Sequence, residues 1–249
     1  AIKAYNRALY IKPEFTEANY NNGIALQEQG KLEEAIECYI NALSMKPDYA
    51  EAYNNIGIAL FNVTFKKPNR DLQKTIVSLL SKERYVRPKD ITKAAISLLK
   101  LEPTVQKHLQ LVDSGELIDS SLDVISDLSA LPLLLKLMSV CPLSDLELEG
   151  LLTKLRFSIL SNIASLKEAS PELLNFQSAL ALQCFTNEYI YSHTGEEEKM
   201  LKSLDASVKK SLKNNKQPSP QAILALASYK ALNEYDWCNL LSTTDHIQD

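Results

Sequence analysis

The side chains that most often carry catalysis or bind metals are scattered in this sequence. The three histidines, His108, His193 and His246, lie far apart, and none has the partner four residues away that a helical zinc site requires. We therefore expect isolated surface histidines. Glu147 and Glu149 are two residues apart on a predicted helix, so they point to different sides. The sequence predicts no catalytic residue, no cofactor and no metal site.

Glycine content and net charge argue against binding of phosphate groups. Nucleotide-binding α/β folds need clustered glycines where the backbone approaches phosphate. The 249 residues include 6 glycines, and no two lie closer than seven residues. The net charge of −4 also argues against nonspecific nucleic-acid binding, which needs a basic surface.

The charge is nevertheless unevenly distributed along the chain. Residues 66–93 contain nine Lys or Arg and three Asp or Glu, whereas residues 113–149 contain eight acids and one lysine, Lys136. One interpretation is two solvated faces that neutralise each other. The other is that residues 66–93 form a basic docking surface for an acidic partner.

The cysteines and the hydropathy pattern predict a cytoplasmic protein. The four cysteines show no paired spacing, so we expect small apolar core residues in a reducing compartment; they are Cys38, Cys141, Cys184 and Cys238. No N-terminal signal peptide is recognisable. The most apolar stretch, residues 131–143, is too short to span a bilayer, and two prolines and a lysine interrupt it.

A unit of 34 residues recurs at the start of the chain. Residues 17–26 are identical to residues 51–60 at seven positions, and residues 1–13 are identical to residues 35–47 at seven positions, always at the same offset. Such a period is typical of stacked helical repeats. Each unit would contain two packed helices, with Gly30 at the turn between them and Pro13 or Pro47 ending the second helix.

The residue types fit a close crossing of two helices. Small side chains are expected where the paired helices approach each other; these are Gly23, Ala25 and Ala35. The second helix shows an apolar stripe at helical spacing, formed by Tyr39, Ala42 and Leu43.

Residues 16–49, TEANYNNGIALQEQGKLEEAIECYINALSMKPDY, resemble the tetratricopeptide repeat, closest to the type found in sugar-transferase and methyltransferase fusions. The resemblance covers residues 1 to 63. It implies an all-α fold: helix-turn-helix units stacked into a right-handed superhelix that binds another polypeptide. One departure is Asn19, which stands where the family often has a bulky aromatic residue, although Tyr53 fills that place in the next unit.

The resemblance also implies a binding groove lined by the first helix of each unit. In the similar sugar-transferase repeats, asparagines at the offset of Asn21 and Asn55 hydrogen-bond the backbone of a bound peptide, for which a carboxamide is suited. Alternatively, these asparagines solvate a helix face or bond to an adjacent repeat. The predicted groove residues are Tyr20, Asn21, Ile24, Asn54, Asn55, Ile58 and Phe61.

The remainder of the chain is predicted to be helical without the repeat. Amphipathic helices are expected over 71–80 and 90–101, and a capping box of Ser144 and Glu147 would open a helix running to about residue 166. Ser170-Pro171 and Ser219-Pro220 would open two more, the second over 222–232. Residues 185–193 have strand-like composition but follow a helical stripe through Leu174, Ala179, Leu182 and Phe185, so we expect helix there.

Residues 146–156 and 181–189 resemble the helical segment that precedes the catalytic domain of some bacterial repeat-containing methyltransferases. This resemblance implies that any catalytic domain lies beyond Asp249. The chain also begins within a second helix, so we expect a fragment, with self-association through the incomplete first repeat as a further option.

The predicted domains are repeats at 1–64, degenerate repeat-like helices at 65–112 and an irregular helical domain at 113–249. The predicted function is a non-catalytic scaffold that binds a protein or peptide, with no nucleic acid or membrane as partner. The alternative is the substrate-recruiting arm of a methyltransferase.

Overall fold

A computed structural model describes residues 1–61, 63–82, 84–114, 121–164 and 170–241. In these ranges the chain is all-α, with no β-strand, as the sequence predicts. The chain divides into two compact units, Ala1–Glu102 and Pro103–Asp249, which are described separately. The three-part domain division made from the sequence rests on repeat ancestry and stays a prediction.

The described residues of the first unit form six helices. Their bounds are α1 Ile2–Ile11, α2 Thr16–Glu28, α3 Leu32–Met45, α4 Ala50–Ala59, α5 Arg70–Ser81 and α6 Pro88–Leu99. The helices α2 and α3 form a hairpin, and α3 also contacts α4 and α5. The helices predicted after the repeats are confirmed by α5 and α6. Asn69 caps α5 by accepting a hydrogen bond from the Leu72 amide at 2.9 Å, and Leu72, Ile76, Leu79 and Leu80 are buried.

The crossing of α2 and α3 requires glycine at position 23. A Cβ atom there would lie 2.5 Å from Cε1 of Tyr39, whose side chain is fully buried. Ala35 is also fully buried and Ala25 partly so, which places all three small residues near the crossing. Gly30 ends the first helix with a φ of +73°, a conformation that glycine adopts at no steric cost. The predicted hairpin is therefore confirmed.

Contacts in the two units repeat at the same offset as the sequence. The Asn19 side-chain amide donates to the Pro13 carbonyl at 3.3 Å, and 34 residues later the Tyr53 hydroxyl donates to the Pro47 carbonyl at 3.3 Å. Both side chains are almost fully buried. Asn19 thus makes the hydrogen bond that the tyrosine makes in the following unit, which accounts for its departure from the aromatic residue.

A second contact repeats in the same way. The Lys12 ammonium lies 5.6 Å from the centre of the Phe15 ring, and the Lys46 ammonium lies 4.5 Å from the centre of the Tyr49 ring. Each pair joins the end of a second helix to the start of the next first helix. These cation–π contacts fix the entry into α2 and α4 in the same manner.

The second unit contains eight α-helices and one 3₁₀ turn in its described residues. Their bounds are α7 Pro103–Ser114, α8 Ser121–Ser129, α9 Pro132–Val140, α10 Leu146–Asn162, α11 Pro171–Thr186, α12 Gly195–Lys213, α13 Pro220–Ala227, the 3₁₀ turn Leu232–Glu234 and α14 Cys238–Leu241. Ser170 and Ser219 cap α11 and α13 as predicted. For α10 the prediction of a Ser144 capping box is wrong, since Asp145 is the capping residue and accepts from the Leu148 amide at 3.1 Å.

Two predicted helix ends in this unit are also wrong. The helix α11 stops at Thr186, because Glu188 and Tyr189 both adopt left-handed backbone conformations with φ of 58° and 57°. The Tyr189 amide turns back to donate to the Cys184 carbonyl at 2.8 Å, which satisfies a carbonyl at the helix end. The helix α13 stops at Ala227 instead of continuing to residue 232.

The buried face of α11 also differs from the predicted apolar stripe. Leu182 and Phe185 are exposed, whereas Leu173, Phe176 and Leu180 are buried. The helix therefore turns a different face to the core than the stripe through Leu174 indicated.

A buried charged cluster stabilises the second unit. Arg156, 2% exposed, donates from Nη2 to the Ser192 carbonyl at 2.8 Å, and its guanidinium lies 4.0 Å from the centre of the Tyr229 ring. Glu197 accepts from the Tyr229 hydroxyl at 2.6 Å and forms a capping box with Thr194. Burial, followed by the hydrogen bond to Glu197, raises the pKa of Tyr229. The cluster ties α10, α12 and the turn after α13 together.

Candidate functional site

The residues predicted to bind a partner lie on the first helices of the two repeats, α2 and α4. Along α4, Asn54, Ile58 and Phe61 follow at spacings of four and three residues, so they share one face, which continues past the end of the helix. All three are exposed; Ile58 is 63% and Phe61 57% exposed. Large apolar side chains at this exposure, side by side, are a feature of interaction surfaces.

On α2 the corresponding face is partly covered. Tyr20, Asn21 and Ile24 are half-buried. The ring of Tyr20 lies 4.8 Å from that of Tyr49 and 5.9 Å from that of Tyr39, measured between ring centres. Tyr20 is therefore held in an aromatic cluster at the junction of the two units.

A hydrogen bond between two of the predicted groove residues connects α2 and α4. The side-chain amide of Asn55 donates to the Tyr20 hydroxyl at 3.3 Å. This is the inter-repeat bond that the sequence leaves as an alternative for the asparagines. Asn21 makes no side-chain hydrogen bond to the described residues, and it does not pair with Asn55. The two asparagines are thus not equivalent.

Burial changes the acid–base chemistry near this face. Burial is the main cause that raises the pKa of Tyr39 to about 12, and it also raises the pKa values of Tyr49 and Cys38. The Tyr39 hydroxyl donates to Oε1 of Gln27 at 2.8 Å. These three groups therefore stay protonated near neutral pH.

Sequence reasoning missed the loop between α5 and α6 as part of this surface. Tyr85 in this loop stacks on Tyr53 of α4, with ring centres 5.4 Å apart and planes 14° apart. Residues 84–87 and the exposed end of α4 enclose a groove of about 600 Å³. The only signal in the sequence was the excess of positive charge in residues 66–93, which did not indicate where the loop would lie.

The described histidines and cysteines differ in burial. The prediction of surface histidines is wrong for His108, which is buried and whose Nε2 lies 2.9 Å from Oδ2 of Asp127 on the neighbouring helix α8. His193 is exposed, and His246 lies outside the described residues. None of the four cysteines is in a disulfide bond, and two of them are fully and two partly buried. Among the described residues, no three His, Cys, Asp or Glu side chains are grouped so that they could hold a metal ion.

No described helix is both long and apolar enough to cross a membrane.

Comparison with known proteins gives a single kind of match. Neither a curated protein nor a solved structure is detectably similar to the chain. Residues 23–63 match a protein-family model described as TPR repeat. The matched segment runs from Gly23 through α3 and α4, so it includes Ile24, Asn54, Asn55, Ile58 and Phe61 of the predicted groove. The comparison therefore identifies a TPR repeat in this part of the chain, and repeats of this kind generally mediate protein–protein interactions.

Proposed function

We propose that this protein is a non-catalytic scaffold whose repeat segment binds a peptide segment of a partner. The peptide lies along the faces of α2 and α4 that carry the predicted groove residues. The observation that carries the proposal is the exposed row of Asn54, Ile58 and Phe61 within the matched repeat. An amide beside two apolar side chains can hydrogen-bond a peptide backbone while it buries a partner's apolar residue.

The two asparagines named from the sequence have different roles in this proposal. Asn21 is free to bond a peptide, whereas Asn55 already holds Tyr20 and would orient it. Replacing both by alanine should weaken peptide binding. It should also lower stability by about 1 kcal/mol, the ordinary net worth of the hydrogen bond that Asn55 makes.

A cleaner test uses the exposed residues alone. Peptides would be selected from a random phage-displayed library on the wild-type chain, and their dissociation constants compared with those for the Asn54→Ala, Ile58→Ser double variant. We expect binding to weaken about tenfold or more, as for a central apolar contact in an interface. Thermal stability should be unchanged, because both side chains are exposed.

The matched control is the Glu33→Ala, Glu37→Ala double variant on the exposed side of α3. Selected peptides should bind this variant like the wild type. Equal weakening by the two double variants, or peptides that bind both with wild-type affinity, would refute the groove.

Self-association through α1 is a second candidate, favoured by the exposure of Tyr10 (89%) and Ile11 (74%) on that helix. Light scattering would show a mass that depends on concentration and that falls in the Tyr10→Ser, Ile11→Ser variant. A monomer at every concentration would exclude this candidate.

The substrate-recruiting arm of a methyltransferase stays a prediction, and the comparisons give no support for the resemblance on which it depends. Sequencing the native gene on both sides of this segment would test it. A strand followed by a glycine-rich loop after residue 249 would support it. A cytoplasmic location is likewise our inference, supported by four cysteines that form no disulfide bond.

A further inference from the structure

A groove at the end of α4 combines an apolar floor with a positively charged edge. Ile58 of α4, Phe61 just beyond that helix and Val86 of the loop between α5 and α6 supply the apolar atoms. Arg84 and Arg87 supply the charge. Both arginines are exposed. The lining therefore joins two interactions that are usually separate on a protein surface, a patch of apolar contact and a pair of cationic hydrogen-bond donors.

The loop that carries the arginines is held in place. Tyr85 stacks on the buried Tyr53, the Lys82 ammonium lies 4.8 Å from the centre of that same ring, and the Tyr85 amide donates to the Lys82 carbonyl at 3.2 Å. At the other end, the Asp90 amide donates to the Arg87 carbonyl at 2.9 Å where α6 begins. The positions of the two arginines beside α4 therefore follow from packing.

The two arginines of this groove have no carboxylate partner among the described residues of the unit. Within the described residues, neither Arg84 nor Arg87 forms an ion pair with a carboxylate, and Asp90 is the single acid of the lining. The surrounding segment, residues 66–93, has six more positive than negative side chains. An arginine guanidinium presents five donors in a planar fork that matches a carboxylate, so the unmet partner of this groove is an acid.

We propose that this groove binds a partner peptide in which one bulky apolar side chain is flanked by carboxylates. The apolar side chain covers Ile58 and Phe61, and the carboxylates on its flanks accept hydrogen bonds from Arg84 and Arg87. This inference rests on the proposed function, because it specifies the chemistry of the segment that the repeat holds. It extends the predicted site from the first helices to a loop that lies outside the matched repeat.

The test measures binding of a fluorescein-labelled hexapeptide, a Leu-Phe pair flanked on each side by two glutamates, by fluorescence polarisation. We expect saturable binding that weakens as salt is added. Two companion peptides separate the contributions: one replaces the glutamates by lysines and the other replaces Leu-Phe by two alanines. Neither companion should bind measurably. Equal binding of either companion would overturn the proposal.

Matched charge variants locate the site. The Arg84→Gln, Arg87→Gln variant should bind the acidic peptide about tenfold more weakly, the sum expected for two exposed ion pairs with good geometry. The control Lys66→Gln, Lys67→Gln removes the same charge from exposed positions of the same basic segment outside the groove lining, and it should weaken binding about twofold or less. Equal weakening in both variants would mean diffuse attraction and would overturn the proposal.

The apolar half of the site has its own variant. Phe61→Ser should weaken binding of the acidic peptide about tenfold. Circular dichroism of all three variants should match the wild type, because every replaced side chain is exposed. Wild-type affinity in Phe61→Ser would overturn the apolar part of the proposal.

The remaining outcomes distinguish this inference from the proposed function. If library-selected peptides depend on Asn54 and Ile58 but the acidic peptide does not bind, the inference fails and the proposed function stands. If peptides of neither origin bind, both fail. If the wild type forms dimers that Arg84→Gln, Arg87→Gln abolishes, a second copy of the chain occupies the groove and the inference is overturned.

Discussion

The two units of this chain are stabilised in different ways. In residues 1–63 the same contacts recur at a fixed offset: Asn19 with Pro13 and Tyr53 with Pro47 make one pair of equivalent hydrogen bonds. Among the described residues of the second unit, Arg156 and Glu197 belong to one buried charged cluster, in which Nη2 of Arg156 lies 3.9 Å from Oε1 of Glu197. A repeated contact distributes stability over many weak terms, whereas a unique buried charge concentrates it in one place.

Removal of the buried charge of Arg156 should have the largest effect on this difference between the two units. Arg156→Leu should lower the stability of the second unit by about 3–5 kcal/mol, because Glu197 would stay buried without its cation. Hydrogen exchange measured by mass spectrometry should be faster than in the wild type in α10 and α12. The exchange rates in α2 and α3 should not change.

The control for this change is Lys202→Gln, which removes the exposed ion pair with Glu198 on α12. Such pairs contribute little, so exchange should stay at the wild-type rate. Arg156→Leu with wild-type exchange in α10 would contradict the account of a concentrated charge.

Equivalent glycines in the two repeats provide a second test. Gly23→Ala should destabilise the first unit by about 1–3 kcal/mol, because the new methyl group would overlap the buried ring of Tyr39. Gly57→Ala, 34 residues later, should be neutral or stabilising by up to about 1 kcal/mol. Its Cβ atom would meet the nearest atoms at 3.5 Å, an ordinary contact, and alanine favours helix.

Thermal unfolding followed by circular dichroism measures both glycine variants. If the two changes have the same effect, the close crossing at Gly23 is not a determinant of the fold.

A smaller effect is expected for the departure from the aromatic residue at position 19. Asn19→Ala removes hydrogen bonds to the Pro13 and Phe15 carbonyls, each 3.3 Å long, and should cost about 1 kcal/mol. Asn19→Tyr should retain the bond to Pro13, as Tyr53 does to Pro47. Urea unfolding curves would compare the two, and equal losses would argue against the equivalence of positions 19 and 53.

The smallest effect concerns alkaline pH. The pKa of Tyr39 is raised in the folded state from 10.0 to about 12, so the stability from its protonated form is complete below pH 10 and lost as the pH rises to about 12. Tyr39→Phe removes this titration. The first unit of the variant should therefore lose stability less steeply over that pH window, as measured by denaturant midpoints at each pH.

Sequence reasoning succeeded where the determinants are local or repeated. The hairpin of α2 and α3, the turn at Gly30 and the caps at Ser170 and Ser219 follow from residue types within a few positions of each other. The exposed residues of α4 also follow from helical spacing.

The errors are of two kinds: contacts between residues that are distant in sequence, and helix ends that the residue types did not indicate. His108 was expected at the surface because Asp127, its partner on another helix, cannot be identified from spacing. The end of α11 depends on two residues with positive φ, and neither is a glycine. The groove beside Phe61 depends on where a loop packs, which the repeat pattern does not specify after residue 63. Only the charge excess of that loop was visible in the sequence.

We propose above all that a partner peptide binds to the faces of α2 and α4 that carry the predicted groove residues. The most direct test is NMR chemical-shift mapping of the isotope-labelled chain, titrated with a peptide selected from the phage library. Chemical-shift changes should be concentrated at Tyr20, Asn54, Ile58 and Phe61, with little change along α3. Changes centred on α3, or on the second unit alone, would contradict it.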